Sequence, residues 1–512
     1  MDCPGFQAGN KKEKIILKNC LEKLSIIKRK QEEKMKNTVA LLFALIFGSG
    51  LLAAEKGYKI TVKLTGSADT SLLLAHYYGS KQYLDDTAYR NKQGFYVFEG
   101  TEKLKNGMYI IAGTNKNKYF DFFLTGSQPL ELACDPSNVV NTMQVKGSDD
   151  NKAFYSYIKY LGNLQKQIEP LNNWMKANKD RKDSVDIVKA RIEDIDKEAK
   201  AYIKNFYTSN PGFLSANFVK ANNEPEYLQY ITSPEGKIDS ALMYPTYKAH
   251  YFDNFTFTDP RLIYTPVFAT KIDLYFDKLV VPVRDSLEKD IDLVMNLSSV
   301  NKEMQTYMAW FLSLKYETSQ VMGHDALFVY IVRKYLETGK VDYLYPEVKD
   351  NILKRINTLE PLLLDKLAPE LILVDSNNVA HSLQATKARY TLLFFWESTC
   401  GHCQAEMPKV LKFYDEFHTK YNLEIYGVST DTSFVKWKAY VKKNNMPWIN
   451  VNGHLSVSGN YHALYDIRST PIMYLLDENK KILTKFLLIE DISNVIIKRE
   501  EDIEKSKKVK TP

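Results

Sequence analysis

The sequence predicts a multidomain protein with three folded parts in series: an N-terminal antiparallel β domain, a central α-helical domain and a C-terminal α/β domain. Three observations carry this. The 512 residues are too many for one hydrophobic core, and a chain of that length is expected to hold about three domains. The spacing of apolar residues changes twice, first from strand-like alternation to helical spacing and then to alternating strand and helix segments. Hydrophobic content of 45% and charged content of 26% are those of folded domains rather than of a disordered chain.

The first 54 residues stand apart. MKNTVALLFALIFGSGLLAA, residues 35–54, has one lysine, an apolar run from Val39 to Phe47 and then small residues, the layout of a secretory signal peptide. Gly48, Ser49 and Gly50 break the run before it reaches the ~20 apolar residues that a membrane-spanning helix needs. Residues 1–34 are rich in Lys and Glu and are expected to be a non-native leader, with translation starting at Met35. The expected location is therefore outside the cytoplasm, in the periplasm or cell envelope. Of five cysteines, the exported chain would keep Cys134, Cys400 and Cys403, too few for a scaffold built on structural disulfides.

Residues 55–147 are expected to form a β-sandwich-like domain. YKITVKL, from Tyr58 to Leu64, alternates apolar and polar side chains as a half-buried strand does. SLLLAHYY, GFYVFEG, MYIIAG, YFDFFL and LELAC follow, separated by Gly, Asn and Ser. Residues 148–360 are expected to form the α-helical domain, because their apolar residues recur at three- and four-residue intervals through segments such as DSVDIVKARIEDIDKEAKAYIKNFY, IDLYFDKLVV and DALFVYIVRKYLE. His250, Asp253 and His324 in this region read as structural. The net charge of +7 is spread thinly, and no basic or lysine–aromatic stripe points to nucleic acid.

Residues 361–498 run strand, helix, strand, helix and then paired strands around the turn ENKK, giving a mixed sheet with helices on both faces; a charged tail is expected over 499–512. TLLFFW leads directly into CGHCQAEMPKVLKFYDEF, whose Met407, Val410, Leu411, Tyr414 and Phe417 form an apolar helical stripe. Cys400 falls in the first turn, where unpaired N–H groups and the helix dipole favour an anion. A thiol whose pKa falls from about 8.5 to about 6.5 goes from roughly 3% to roughly 75% thiolate at neutral pH. This placement predicts Cys400 as nucleophile and Cys403, one turn further in, as resolving thiol. His402 between them is expected to favour the thiolate. A structural zinc would want a second cysteine pair, and the chain has none. A permanent disulfide over so short a loop would stabilise little. A peroxide-reducing PxxxTxxC motif is absent, with Leu393 and Glu397 at its fixed positions. No metal and no cofactor other than a Cys400–Cys403 disulfide is expected. Pro471, in RSTPIMYLLD, begins a strand, and a cis bond there would bring the Thr470 backbone near the sulfurs, where it offers pairing to an extended substrate.

Together, WESTCGHC and the STP before a strand resemble the thioredoxin fold, and CGHC is the active-site motif of protein disulfide isomerases. The helix order and Pro408 after the second cysteine look most like the exported TlpA-like thiol–disulfide oxidoreductases of Bacteroides-type bacteria. The likeness covers about Leu363 to Lys498. It implies a C-terminal α/β thioredoxin-like domain in which Cys400 is the nucleophile, Cys403 the resolving cysteine and Pro471 the cis-proline, with Thr470 and Trp396 as substrate-binding residues. The preceding β and helical segments are similar to uncharacterised domains found in the same architecture. Two positions depart from the thioredoxin pattern. Phe394 stands where many thioredoxins carry a buried Asp, and Thr399 stands where a Trp usually precedes the first cysteine. Glu397 is either a proton relay or a solvated carboxylate.

The expected function is disulfide exchange with envelope proteins through the CGHC site. Partners would be protein thiols and disulfides, with a membrane-bound electron donor permitted by the resemblance. A different expectation is an envelope binding or scaffold protein whose thioredoxin-like domain serves as an accessory or redox sensor.

Overall fold

The structure, a computed structural model, describes residues 57–509 apart from 127, 128 and 235. The leader (1–34) and signal peptide (35–54) expected from the sequence lie outside the described residues. The alternation of YKITVKL becomes strand β1 (Tyr58–Leu64), with Ile60, Val62 and Leu64 buried and Lys59 and Lys63 exposed. After it come β2 (Ser71–Tyr78), β3 (Lys81–Tyr89), β4 (Tyr96–Gly100), β5 (Gly107–Gly113), β6 (Lys118–Leu124), β7 (Leu130–Cys134) and β8 (Gln144–Lys146). They make two four-stranded sheets, β4-β1-β7-β8 and β3-β2-β5-β6, whose facing side chains, among them Val62, Leu72, Phe98, Ile111 and Phe122, share one core.

The expectation of a wholly antiparallel β domain is corrected at one pair. β1 and β7 run parallel, from Ile60 opposite Leu130 to Leu64 opposite Cys134. Parallel neighbours need a long connection, and here the chain crosses to the second sheet twice between them. Strand β3 carried no sequence signal. KQYLDDTAY is an edge strand with mostly exposed side chains, so no apolar alternation is required of it, and its charges suit an unpaired edge.

β5 is buried on both faces. Tyr109 and Ile111 point into the sandwich, while Met108 and Ile110 join a second core built with Phe154, Leu214, Phe268 and Met308 of the helical region. One apolar cluster therefore runs across residue 147. Asn151 fastens this junction: its side-chain oxygen accepts from the Phe123 N–H (2.8 Å) and its NH2 donates to the Phe123 carbonyl (2.6 Å) on strand β6. The helices are Asp149–Ala177, Lys182–Ser209, Leu214–Asn222, Ser240–His250, Pro266–Leu274, Arg284–Ser298, Lys302–Glu317, Asp325–Ile331 and Lys349–Leu359. Two of them end in π turns, Tyr275–Leu279 and Val332–Leu336.

The C-terminal part adds β9 (Ile372–Asp375), β10 (Ala380–Ser382), β11 (Tyr390–Trp396), β12 (Leu423–Ser429), β13 (Ile449–Ser456), β14 (Ile472–Leu476) and β15 (Ile482–Lys485) in one sheet of order β10-β9-β13-β12-β11-β14-β15. Every residue of β11 is buried; Leu392, Phe394 and Trp396 face one core and Leu393 and Phe395 the other. The first core is covered by Phe413 of helix Gly401–Tyr421, Trp437 of Phe434–Lys443 and Ile492 of Ile489–Val509. The second is covered by Tyr461 and Tyr465 and by Leu362, where the helical region ends. The last helix corrects the expectation of a tail from 499: it continues to Val509, and Glu500 accepts from Arg389 (2.9 Å) and from the Tyr390 hydroxyl (2.5 Å). Among the described residues no helix is long and apolar enough to cross a membrane.

Candidate active site

β11 delivers the chain to the sheet edge at Trp396, and the helix Gly401–Tyr421 begins one short turn later with Cys400 as its N-cap. The helix forms as its pattern dictates. Met407, Val410, Tyr414 and Phe417 are buried, whereas Lys409, Lys412, Asp415 and Glu416 are exposed. Cys400 is half-buried and Cys403 is 1% exposed; both are free thiols. The Cys400 thiol donates to the Thr470 carbonyl at 3.4 Å, and the Thr470–Pro471 peptide bond is cis.

The two sulfurs have opposite electrostatics. Burial raises the pKa of Cys400, but this is outweighed by hydrogen bonds to its sulfur from the Cys403 N–H, the Thr470 hydroxyl, the Cys403 thiol and the His402 N–H, and the thiol lies below its ordinary range. Burial pushes Cys403 up to about 11, with the neighbouring Cys400 adding to the rise and hydrogen bonds from Thr470 and the Glu397 backbone opposing it. Phe394, buried in the same core as Cys403, gives that thiol apolar surroundings.

The remaining predicted residues divide. Thr470 reaches the Cys400 sulfur, and Pro471 follows it across the cis bond. His402 reaches that sulfur through its backbone N–H rather than its imidazole, which is exposed. Trp396 is corrected: it is fully buried against Tyr440, with ring centroids 5.3 Å apart, and has no surface to offer a substrate. Glu397 accepts from the Thr399 hydroxyl at 2.9 Å. His250 stacks on Tyr230 and bonds Asp253 (2.7 Å), and His324 bonds Ser319 (2.8 Å), both within the helical region. Cys134 is buried in β7, and burial holds its thiol up at about 12.

Sequence reasoning missed two buried carboxylates. Asp431 (3% exposed) accepts from the Ser398 N–H (2.9 Å), the Ser398 hydroxyl (2.6 Å) and the Ser429 hydroxyl (2.8 Å). The Gln404 amide donates to the Ser398 carbonyl at 2.8 Å, so Ser398, two residues before Cys400, is held from both sides. Glu406 accepts from the Ile489 N–H (3.2 Å) at the start of the last helix. The signal for Asp431 was its place: a carboxylate two residues past the strand that runs parallel beside β11.

A cysteine pair opening a helix at the end of a central strand, facing a proline that opens the antiparallel neighbour, defines a thioredoxin-like domain. A family model described as the AhpC/TSA family matches residues 364–498, and two described as domains of unknown function, DUF5106 and DUF4369, match 219–357 and 58–154. Thiol-disulfide oxidoreductase ResA of Bacillus cereus is 23% identical over 129 residues, which cover 25% of this chain and 72% of that protein. Among solved structures, a domain of a possible thiol-disulfide isomerase from Cytophaga hutchinsonii is 32% identical, covering 28% of this chain and 98% of its own, with a TM-score of 0.27. The thioredoxin domain of a Bacteroides vulgatus thiol-disulfide oxidoreductase is 30% identical, covering 26% and 96%, with a TM-score of 0.24. Residues 364–498 thus form a thioredoxin-like protein-disulfide oxidoreductase domain of the TlpA-like kind.

Proposed function

We propose that Cys400 and Cys403 are the redox centre of an exported oxidoreductase that exchanges disulfides with proteins of the cell envelope. The observation that carries this reading is the placement of a half-buried Cys400 at the N-cap of its helix, on the Thr470 carbonyl beside the cis bond, with a buried Cys403 one turn further in; the opposite pKa shifts of the two thiols agree with it. The Cys400 thiolate attacks one sulfur of a substrate disulfide and expels the other as a thiolate. The mixed disulfide removes the Cys400 charge that helped hold Cys403 up, so Cys403 loses its proton more readily at that moment. Cys403 then attacks the Cys400 sulfur, a Cys400–Cys403 disulfide forms, and the second substrate thiolate leaves. Two electrons pass from the dithiol to the substrate, and run in reverse the same steps oxidise a substrate dithiol.

Thr470 offers its backbone to an extended substrate segment, and Pro471 shapes that edge. The disulfide itself is the only redox group the cycle uses; regeneration calls for a dithiol donor, for which a membrane-bound protein is suited if the segment 35–54 directs export. The test is trapping. A Cys403→Ser chain expressed in its native envelope is expected to accumulate mixed disulfides through Cys400, identifiable by mass spectrometry after non-reducing separation. Turnover of insulin disulfides by wild type and not by Cys400→Ser is expected alongside; equal turnover by both defeats the proposal.

A further inference from the structure

The helical region holds a cation with nothing to do. Three lysines among the described residues are buried: Lys271, Lys480 and Lys485. Lys480 donates to the Thr391 hydroxyl at 3.0 Å, and Lys485 is held by Asp325 and the Leu362 carbonyl. Lys271, 8% exposed, has no hydrogen-bond or ion-pair partner among the described residues. Its ammonium lies 4.5 Å from the centre of the Tyr251 ring, a contact that attracts the charge but uses none of its three N–H donors. With the rest of its side chain buried and its N–H donors unspent on protein, the Lys271 ammonium has only the cleft it lines to donate into, whereas the other two buried lysines donate to protein oxygens.

Lys271 lines a cleft of about 250 Å³ between helices Leu214–Asn222, Ser240–His250 and Pro266–Leu274. Ala221, Val267 and Leu279 give it apolar walls. Glu224 and Lys278 are exposed at its rim with opposite charges, and the Tyr247 hydroxyl already donates to Glu224 at 2.5 Å. The uncompensated charge is thus a single cation in the depth of the cleft. Its volume is below the ~300–1,000 Å³ of drug-sized sites.

We propose that this cleft binds a small monocarboxylate with a short apolar tail, the carboxylate on Lys271 and the tail against Ala221, Val267 and Leu279. Burial depresses the Lys271 ammonium, with Glu224 opposing it, and a bound carboxylate would restore the charged form. The site is independent of the cysteine pair and gives the helical region a role of its own.

Hexanoate and hexanol, titrated calorimetrically into the full chain, test this. Hexanoate is expected to bind one to one and at least about tenfold tighter than hexanol, the usual effect of one charged hydrogen bond. In Lys271→Met, which removes the charge and keeps the packing of the buried stem, that preference is expected to vanish while the unfolding midpoint does not fall. Equal binding of the two compounds by wild type, no hexanoate binding up to tens of millimolar, or an unchanged preference in Lys271→Met each overturns the assignment. The wild-type comparison alone decides the matter should the variant fold poorly.

Discussion

The Thr470 carbonyl oxygen lies 3.4 Å from Cys400 Sγ, although 70 residues separate the two. The strand order brings them together: β11 leads into the helix that carries Cys400, and its antiparallel neighbour β14 begins just after Thr470. Thr470 therefore touches the nucleophile through its carbonyl, which accepts from the thiol, and its side chain is among the groups that lower the Cys400 thiol.

Alkylation should separate the cysteines by pH. With Cys400 depressed, its thiolate persists to lower pH than that of a free cysteine, whose reactivity falls off below about pH 8.5. Cys403, near 11, stays protonated at neutral pH, and Cys134, near 12, is also buried. Iodoacetamide at pH 7 is expected to label Cys400 first in the reduced native protein, with an inflection below that of free cysteine in a plot of rate against pH. Peptide mapping showing Cys403 labelled first contradicts the assignment.

Thr470→Val isolates the hydroxyl. The substitution nearly preserves shape and leaves the carbonyl in place, so losing the hydroxyl that helps lower the Cys400 thiol should raise the Cys400 pKa and cut labelling at pH 7 by about three- to tenfold. At a pH where wild type and variant are both fully ionised, the variant should be as fast or a few-fold faster, because the more basic thiolate is the better nucleophile. A variant still slower there would mean an altered site rather than an altered thiolate fraction.

Asp431 should set the position of the cysteine loop. Asp431→Ala strips the acceptor from the Ser398 N–H and hydroxyl and from the Ser429 hydroxyl, all buried, and is expected to cost about 2–4 kcal/mol in denaturant unfolding. Because Ser398 lies two residues before Cys400, the labelling profile of Cys400 should move toward ordinary thiol pH. Asp431→Asn, which retains one acceptor oxygen, should recover part of both effects. Loss of stability with an unmoved profile would make Asp431 structural only.

How legible was all this? The half-buried strand β1 and the amphipathic helix after Cys400 were plain, because each buries one face and its period records that face. The cysteine pair and Pro471 were readable because so few residue types suit those roles. Asp431 was not, since a loop Asp between two threonines looks the same whether it faces water or closes a hydrogen-bond network. Trp396 misled for a related reason: an aromatic near a motif suggests a recognition surface, yet the last residue of a doubly covered strand has core on both sides. The run MYIIAG concealed the joint between β sheet and helices, because a strand buried on both faces has no alternation to show what covers each face.

The joint between the helical region and the thioredoxin-like domain rests on an asymmetric ion pair. Lys485 on β15 has a side chain 2% exposed and is held by Asp325, at the start of a helix, and by the Leu362 carbonyl. Asp325 is 20% exposed. Removing each partner should therefore have unequal consequences. Asp325→Ala leaves a buried ammonium with one carbonyl and is expected to cost about 3–5 kcal/mol. Lys485→Met leaves a carboxylate whose side chain is 20% exposed, although its Oδ1 is buried, and keeps the methylene packing, so a smaller cost of about 1–3 kcal/mol is expected. The double variant should be more stable than Asp325→Ala alone, since the stranded charge is gone. Denaturant unfolding of the four proteins measures this. If Asp325→Ala proves the milder single change, the burial difference between the two partners does not govern the joint, and a second ion pair across it, Arg355 to Asp466 at 2.6 Å, becomes the one to cut.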